Sequence, residues 1–348
     1  MDKISAGPSD AATPFLLVTG CPRSGTSLLA NELMRHYDVA IPFETHFIPV
    51  FHFWRRLYGD LSQAANRARM LADIYLFSRL WIASSKTFSR AGIVRASILI
   101  TEPHSRDIVA GSHDFASLVH CLFQSFAQLN GAAHYADKSA FFNPVSPEAF
   151  ARALGPIRIV AVVRDGRDVF LSWQTTWFGT TNAVTAARTW RQHVAVINAR
   201  TNNREDALIL RYEDLISNPE KTLARAASFL GLFARPAPIE PDLVAGMATA
   251  PEHAQLKSPP SPRSTGRYRL EMPGWQQHLF QRLCGDVLTQ HGYERGQAAT
   301  GRPMRQFLEF ILAPVAGLPT ATGRWAKFLL PVVFLIGGRG LCRQYTRD

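Results

Sequence analysis

The residues best suited to chemistry gather in a short loop near the N-terminus. The segment Gly20–Ser27, with the sequence GCPRSGTS, follows an apolar run at 14–20 and precedes leucines at helical spacing. A strand, a glycine-containing turn and a helix start in this order direct backbone N–H groups and the positive end of the helix dipole at whatever occupies the turn. The loop is therefore predicted to bind an anion. The residues around that anion would be Arg23, Ser24, Gly25, Thr26 and Ser27.

The spacing of this loop separates it from a Walker A motif. Gly20 and Gly25 fit the G-x-x-x-x-G of a P-loop, but that motif continues with Lys, whereas Thr26 follows Gly25 directly. The Walker lysine serves a magnesium-bound triphosphate. Because the cation here is Arg23, inside the loop, we expect it to hold a less charged group without a metal ion.

A second loop carries a further pair of candidate residues. Arg164 ends the apolar run at 157–163, and Ser172 follows eight residues later. Eight residues of helix make slightly more than two turns, so Ser172 can share a face with the loop that carries Arg164. The alternative is a solvated loop in which Arg164 and Arg167 pair with the neighbouring aspartates.

Together the two loops resemble those of sulfotransferases that use 3′-phosphoadenosine 5′-phosphosulfate (PAPS). The segment Pro22–Ser27 is similar to that family's 5′-phosphosulfate loop, and Arg164 and Ser172 match its 3′-phosphate pair in order and spacing. The resemblance implies PAPS as the donor and in-line transfer of its sulfuryl group to a hydroxyl or amine acceptor. It also implies that Tyr212 lies near the nucleotide; a core or interface tyrosine is the equal alternative.

The resemblance also assigns the catalytic groups. Sulfuryl transfer needs a base for the acceptor proton and cations for the charge on the leaving phosphate. The chain most resembles a bacterial-type subset similar to the tyrosylprotein sulfotransferases, whose glutamate base stands 21 residues after the loop arginine, as Glu44 stands after Arg23. Lys138 resembles the family's lysine that contacts the transferring group. A surface carboxylate and a surface lysine paired with Asp137 are the alternatives.

A third region resembles the late loop that closes over the nucleotide in this family. The segment Ser264–Arg269, with the sequence STGRYR, supplies Ser264 and Arg267 as further nucleotide-binding candidates. It departs from the late motif of the cytosolic small-molecule enzymes.

These candidates need a scaffold that brings distant parts of the chain together. Apolar runs at 14–20, 157–163 and 207–212 each precede a helical segment, and this alternation indicates a parallel sheet with helices on both faces. The predicted fold is therefore α/β: a P-loop-like three-layer fold with a central, mostly parallel sheet. Residues 47–126 have few strand signals and many aromatics, and we expect a mostly helical insertion on the acceptor side. The sulfotransferase domain is predicted at 14–295.

Composition limits the remaining possibilities. The chain has 348 residues, of which 47% are hydrophobic, enough for a sizeable core, and its net charge of +11 predicts an acidic partner. No recognition helix or RNA-binding motif accompanies the charge, which disfavours nucleic acid. Four separated cysteines and scattered histidines indicate neither a disulfide framework nor a metal site. The polar N-terminus predicts a cytoplasmic location.

The C-terminal tail, residues 301–348, carries a net +5 of the total charge. Its uncharged stretches at 310–323 and 328–338 are too short to span a bilayer. One interpretation is peripheral contact with anionic lipid at the inner face of the membrane, which would favour a lipid, glycolipid or glycan acceptor. The other is a segment docked on the protein or on a second subunit of a homodimer.

Two rival functions share these features. One is a P-loop nucleoside-triphosphate-dependent kinase, which would need a lysine directly after Gly25, where this chain has Thr26. The other is a catalytically silent, membrane-associated nucleotide-binding protein.

Overall fold

A sheet of parallel strands forms the centre of the described part of the protein. The computed structural model describes residues 13–84, 96–139, 147–176, 179–201, 204–239 and 261–294. Within them the strand order is β2-β3-β1-β4-β5, with every neighbouring pair parallel. This confirms the predicted α/β class. The strands are β1 (Phe15–Gly20), β2 (Val39–Ala40), β3 (His134–Lys138), β4 (Ile157–Val163) and β5 (Ala207–Arg211).

Helices cover both faces of this sheet. They are α1 (Thr26–His36), α2 (Phe47–Trp54), α3 (Ala64–Ser84), α4 (Ser105–Ala110), α5 (Phe115–Leu129), α6 (Pro147–Leu154), α7 (Gly166–Trp173), α8 (Ala183–Thr201), α9 (Tyr212–Ser217), α10 (Pro219–Leu230), α11 (Tyr268–Glu271) and α12 (Gly274–Gln290), with short 3₁₀ segments at Arg55–Tyr58, Ile98–His104 and Pro262–Ser264.

Strand β1 lies in the middle of the sheet, and its side chains are buried on both faces. Leu16 and Val18 pack with α1 and α10 on one face, and Phe15 and Leu17 pack with the helices of residues 47–126 on the other. A strand buried on both faces reads as a continuous apolar run, as 15–20 does. Because all strands are parallel, their carboxyl ends meet at one edge, where ligands bind in open α/β sheets.

Trp190 of α8 fixes the start of the second loop. Its fully buried ring packs on α7 so closely that a Cβ at Gly166 would lie 2.5 Å from it. Its indole Nε1 donates to the Arg164 carbonyl over 3.0 Å. The backbone that presents Arg164 is thereby held against α8.

In residues 47–126 the described ranges are helical, formed by α2 to α5 and two 3₁₀ segments. Several aromatics belong to the core, with Phe47, Phe51, Phe77 and Phe123 all buried in one cluster. The domain limits at 14–295 stay a prediction, and the tail at 301–348 lies outside the described residues. Within the described ranges, no helix combines the length and apolarity needed to cross a membrane.

Helix α1 offers a matched test of this packing. Leu29 is fully buried, whereas the adjacent Leu28 is only partly buried at the edge of the same cluster. Because truncation of a deeply buried leucine leaves a cavity, Leu29→Ala is expected to lower the free energy of unfolding by about 2–5 kcal/mol. Urea denaturation measures this loss. Leu28→Ala should cost less than half as much. Equal losses would contradict this orientation of α1.

Candidate active site

The loop between β1 and α1 has a tightly constrained backbone. Arg23 and Gly25 both have positive φ, at 72° and 95°. A Cβ at Gly25 would lie 2.3 Å from the ring of Tyr212, and one at Gly20 would lie 2.6 Å from the Val162 carbonyl oxygen. The loop backbone lies so close to its neighbours that only glycine fits at positions 20 and 25.

This loop also presents polar groups that suit an anion. The first turn of α1 contains no acidic residue, which leaves the positive end of its dipole uncompensated there. Ser24 is fully buried, and among the described residues its hydroxyl has no hydrogen-bond partner. The Nε of Arg164 is buried and equally unsatisfied. A buried polar group left unpaired costs about 1–3 kcal/mol, so ligand oxygens at this place would be stabilised.

The structure brings the two predicted loops together. The Nε of Arg23 donates to the hydroxyl of Ser172 over 3.0 Å, and Arg164 donates to the Arg23 carbonyl, also over 3.0 Å. The indole of Trp173 donates to the Pro22 carbonyl over 3.1 Å. Helix α7 therefore supports the first loop through two adjacent side chains.

Tyr212 and the late loop complete this cluster. The Arg164 guanidinium lies 4.5 Å from the centre of the Tyr212 ring, within cation–π range. Arg164 also donates to the Ser264 carbonyl over 2.6 Å, and the Tyr212 hydroxyl donates to the Ser264 hydroxyl over 2.8 Å. Arg164 thus contacts the first loop, Tyr212 and the late loop at once.

Asp168 anchors the late loop to α7. Its fully buried carboxylate accepts the backbone N–H groups of Gly266, over 2.6 Å, and of Tyr268, over 2.9 Å. Burial raises the pKa of Asp168, although both hydrogen bonds act to lower it. The sequence identified Asp168 only as a possible ion-pair partner, and its role in holding the loop needed the structure.

Two other arginines of these loops are occupied by local partners. Arg167 is fully buried, bonds to Asp165 over 2.6 and 2.9 Å, and stacks 3.7 Å from the centre of the Tyr268 ring. Arg167 thus pairs with a neighbouring aspartate, as the solvated-loop alternative has it, but in a buried position and not a solvated one. Arg267 pairs with Glu271 one helical turn later, over 2.6 and 2.8 Å.

Glu44 and Lys138 form an ion pair at the same edge of the sheet. Lys138 ends β3 beside β1, and its Nζ lies 2.5 Å from Glu44 Oε1. The Lys138 side chain is 3% exposed and that of Glu44 14%, so neither is the surface residue that the alternatives proposed. His46 contacts the other oxygen, with Nε2 3.0 Å from Oε2.

These contacts set the charge of Glu44. Burial alone would raise the pKa of Glu44, but the charge of Lys138 and the contacts with His46 outweigh it, so the pKa lies well below its ordinary value. Glu44 is therefore ionised throughout the neutral range.

Asp137 holds the Glu44 segment onto β3. The Thr45 hydroxyl donates to Asp137 over 3.0 Å, and the Ser139 hydroxyl donates to its other oxygen over 2.9 Å. Burial raises the pKa of Asp137. Sequence reasoning named Asp137 only as a possible partner of Lys138 and gave His46 no role in the site, although Asp137 is adjacent to Lys138 and His46 stands two positions from Glu44. Within the described ranges no three His, Cys, Asp or Glu side chains are grouped as a metal site.

The parallel sheet and the anion-type loop at its carboxyl edge define a P-loop-like α/β protein. A family model described as "Sulfotransferase family" matches residues 14–235, well over half of the chain, and the chain therefore belongs to the sulfotransferase family. The resemblance inferred from the loops is confirmed at this level, and the protein is a sulfotransferase-type enzyme.

Two solved sulfotransferase structures are similar to this chain. The sulfotransferase domain of the olefin synthase from Synechococcus PCC 7002 is 18% identical, with 81% of this chain and 95% of that chain covered at a TM-score of 0.50. A sulfotransferase domain from the curacin biosynthetic pathway is also 18% identical, with 81% and 98% covered at a TM-score of 0.47. At 18% identity the likeness to the olefin synthase domain shows the fold alone. Curated protein sequences contain no significant match.

The anchoring role of Asp168 is testable by hydrogen exchange. Asp168→Asn replaces one acceptor oxygen by an amide group that faces a backbone N–H donor, so the late loop should open more often. Peptides covering 261–272 are expected to exchange at least tenfold faster in mass-spectrometric measurements. Asp286→Asn, on an exposed ion pair of α12, is the control and should leave these peptides unchanged. Unchanged exchange in Asp168→Asn would contradict the anchor.

The ion pair of Glu44 predicts a pH-dependent stability. The pKa of Glu44 is lower in the folded than in the unfolded state. Its contribution to the free energy of unfolding is therefore complete above the unfolded pKa near 4.3 and is lost as the pH falls below that value. The loss is up to about 1.4 kcal/mol per pH unit. The difference in free energy of unfolding between wild type and Glu44→Gln should therefore be largest above pH 5 and shrink towards pH 3. Glu220→Gln, an exposed control, should show a difference within about 0.5 kcal/mol at every pH. A difference that grows on acidification would contradict the assignment.

Proposed function

We propose that the enzyme transfers the sulfuryl group of PAPS to a hydroxyl or amine acceptor. The observation that carries the proposal is the hydrogen-bonded cluster of Arg23, Ser172, Arg164, Tyr212 and Ser264, which unites the donor-binding candidates of separate chain regions. The Glu44–Lys138 pair lies at the same sheet edge.

The residues present fit such a donor. Amides of the first loop and the hydroxyls of Ser24, Thr26 and Ser27 would surround the 5′-phosphosulfate, and the unsatisfied Ser24 hydroxyl supports this assignment. Arg164 and Ser172 would bind the 3′-phosphate. Tyr212 and Ser264 would lie around the nucleotide. Arg267 would also bind it, after leaving its ion pair with Glu271.

PAPS would supply an activated sulfuryl group on a phosphate leaving group. Arg23 would bind the sulfuryl oxygens, and Lys138 would stabilise the charge that develops at the leaving oxygen. PAPS is not a metal-bound triphosphate, so side-chain cations of the loop and of β3 would stabilise the charge on the leaving phosphate.

Glu44 would act as the base. It is ionised at neutral pH and can accept the acceptor proton. When Lys138 turns its ammonium group towards the sulfuryl group, Glu44 loses the charge that lowers its pKa most, and that pKa rises. The movement of one lysine would thus both stabilise the transfer and strengthen the base.

The acceptor and the cellular setting stay predictions of the sequence. A cytoplasmic location, peripheral contact of the tail with the inner membrane face, a lipid or glycan acceptor and a homodimer all depend on segments or partners beyond the described residues. Labelled PAPS offered to separate lipid, glycan and protein fractions would identify the acceptor.

Donor selectivity and turnover test the proposal together. By calorimetry, adenosine 3′,5′-bisphosphate should bind and ATP with magnesium should not. Arg164→Ala should weaken bisphosphate binding at least tenfold, because it removes a charged contact to phosphate. Glu44→Gln should lower transfer of labelled sulfate at least 100-fold while leaving bisphosphate affinity within about threefold, since a base contributes 10²–10⁴-fold.

The matched control for Arg164 is Arg191→Ala, which removes an exposed arginine of α8 paired with Asp286 and should change neither quantity. Preference for ATP with magnesium would support the kinase alternative instead. Full turnover in both Arg23→Ala and Glu44→Gln would reject the assigned site.

A further inference from the structure

His46 is a buried histidine beside Glu44 that takes no direct part in the proposed transfer. Its side chain is 1% exposed, and its Nε2 lies 3.0 Å from Glu44 Oε2. Its ring meets the Trp81 ring edge-on, with the centres 4.3 Å apart. A histidine in this position contacts the carboxylate and also has its own orientation restrained by packing.

The backbone at His46 is strained in a way that keeps this contact. Its φ of 54° lies in the left-handed region, which costs a non-glycine residue about 1–3 kcal/mol. Such a conformation persists only where the surroundings over-determine it. Here Thr45 bonds to Asp137 and Glu44 bonds to Lys138, so both residues that precede His46 are attached to β3.

The two oxygens of Glu44 have different partners. Lys138 contacts Oε1 and His46 contacts Oε2. In the proposed function, Lys138 leaves Oε1 for the donor, and a glutamate with no second contact would then be able to rotate about its side-chain bonds. His46 lies on the oxygen that does not lose its partner.

We propose that His46 is a positioning residue, which donates its Nε2–H to Glu44 Oε2 and so keeps Oε1 directed at the acceptor after Lys138 has moved. This inference rests on the proposed role of Glu44 as base. In the step it serves, the acceptor proton passes to Oε1, the acceptor oxygen or nitrogen forms a bond to sulfur, and the bond from sulfur to the bridging oxygen breaks with its electron pair left on the phosphate.

Two substitutions separate positioning from packing. Asn tolerates the left-handed conformation but is too short to reach Oε2, whereas Gln has the reach of the imidazole and an N–H donor. His46→Asn should lower kcat about 10- to 100-fold, the scale expected when a reacting group is misplaced by about 1 Å. His46→Gln should retain kcat within about fivefold. The KM for PAPS and the calorimetric affinity for adenosine 3′,5′-bisphosphate should stay within about threefold in both.

A double-mutant cycle tests the contact independently of turnover. If His46 acts through Glu44, adding His46→Asn to Glu44→Gln should not lower the residual rate further, and the two shifts in urea midpoint should be non-additive. Wild-type kcat in His46→Asn, equal losses in Asn and Gln variants, or additive urea midpoints would overturn the positioning role. Absence of any sulfate transfer by the wild type would instead reject the proposed function, and the urea cycle would still decide whether the Glu44–His46 contact exists.

Discussion

The site depends on the burial of a charged pair at the carboxyl edge of an apolar sheet. The Nζ of Lys138 lies 2.5 Å from Glu44 Oε1, and both side chains are largely buried. Either charge without the other would destabilise the fold. Strand β3 places Lys138 beside β1, while the short β2 directs the chain back so that Glu44 reaches it. Thr45 and Asp137 then hold the two segments together. The order of the strands and the charge of the site therefore constrain each other.

Arg164 has the corresponding part on the other side of β1. Its backbone is held by Trp190, and its guanidinium joins the first loop, Tyr212 and the late loop. Asp168, one helical turn later, binds the late loop through two backbone N–H groups. A nucleotide at this edge would thus meet loops already assembled by the protein's own hydrogen bonds, which lowers the cost of ordering them on binding.

Membership of the sulfotransferase family gives this arrangement its chemical sense. Loop amides and side-chain cations suit the transfer of a sulfuryl group, and the lowered pKa of Glu44 keeps the proposed base ionised until Lys138 moves. Several aromatics at 47–126 are committed to the core, as Phe47 and Phe51 are. Those buried rings are consequently not available for contacts with an acceptor.

The sequence by itself determined the features that depend on neighbouring residues. The strand, loop and helix from Phe15 to His36 follow from a continuous apolar run and closely spaced glycines. The spacing of eight residues also predicts that Arg164 and Ser172 lie near one another, and both contact Arg23. The resemblance to sulfotransferases added Glu44 and Lys138 as candidates. Only the tertiary structure decided that these two are paired across 94 positions, that Asp168 anchors a loop 98 positions away, and that His46 is pressed against Glu44. Such partners are chosen by strand order and side-chain packing, which no local pattern of residues encodes.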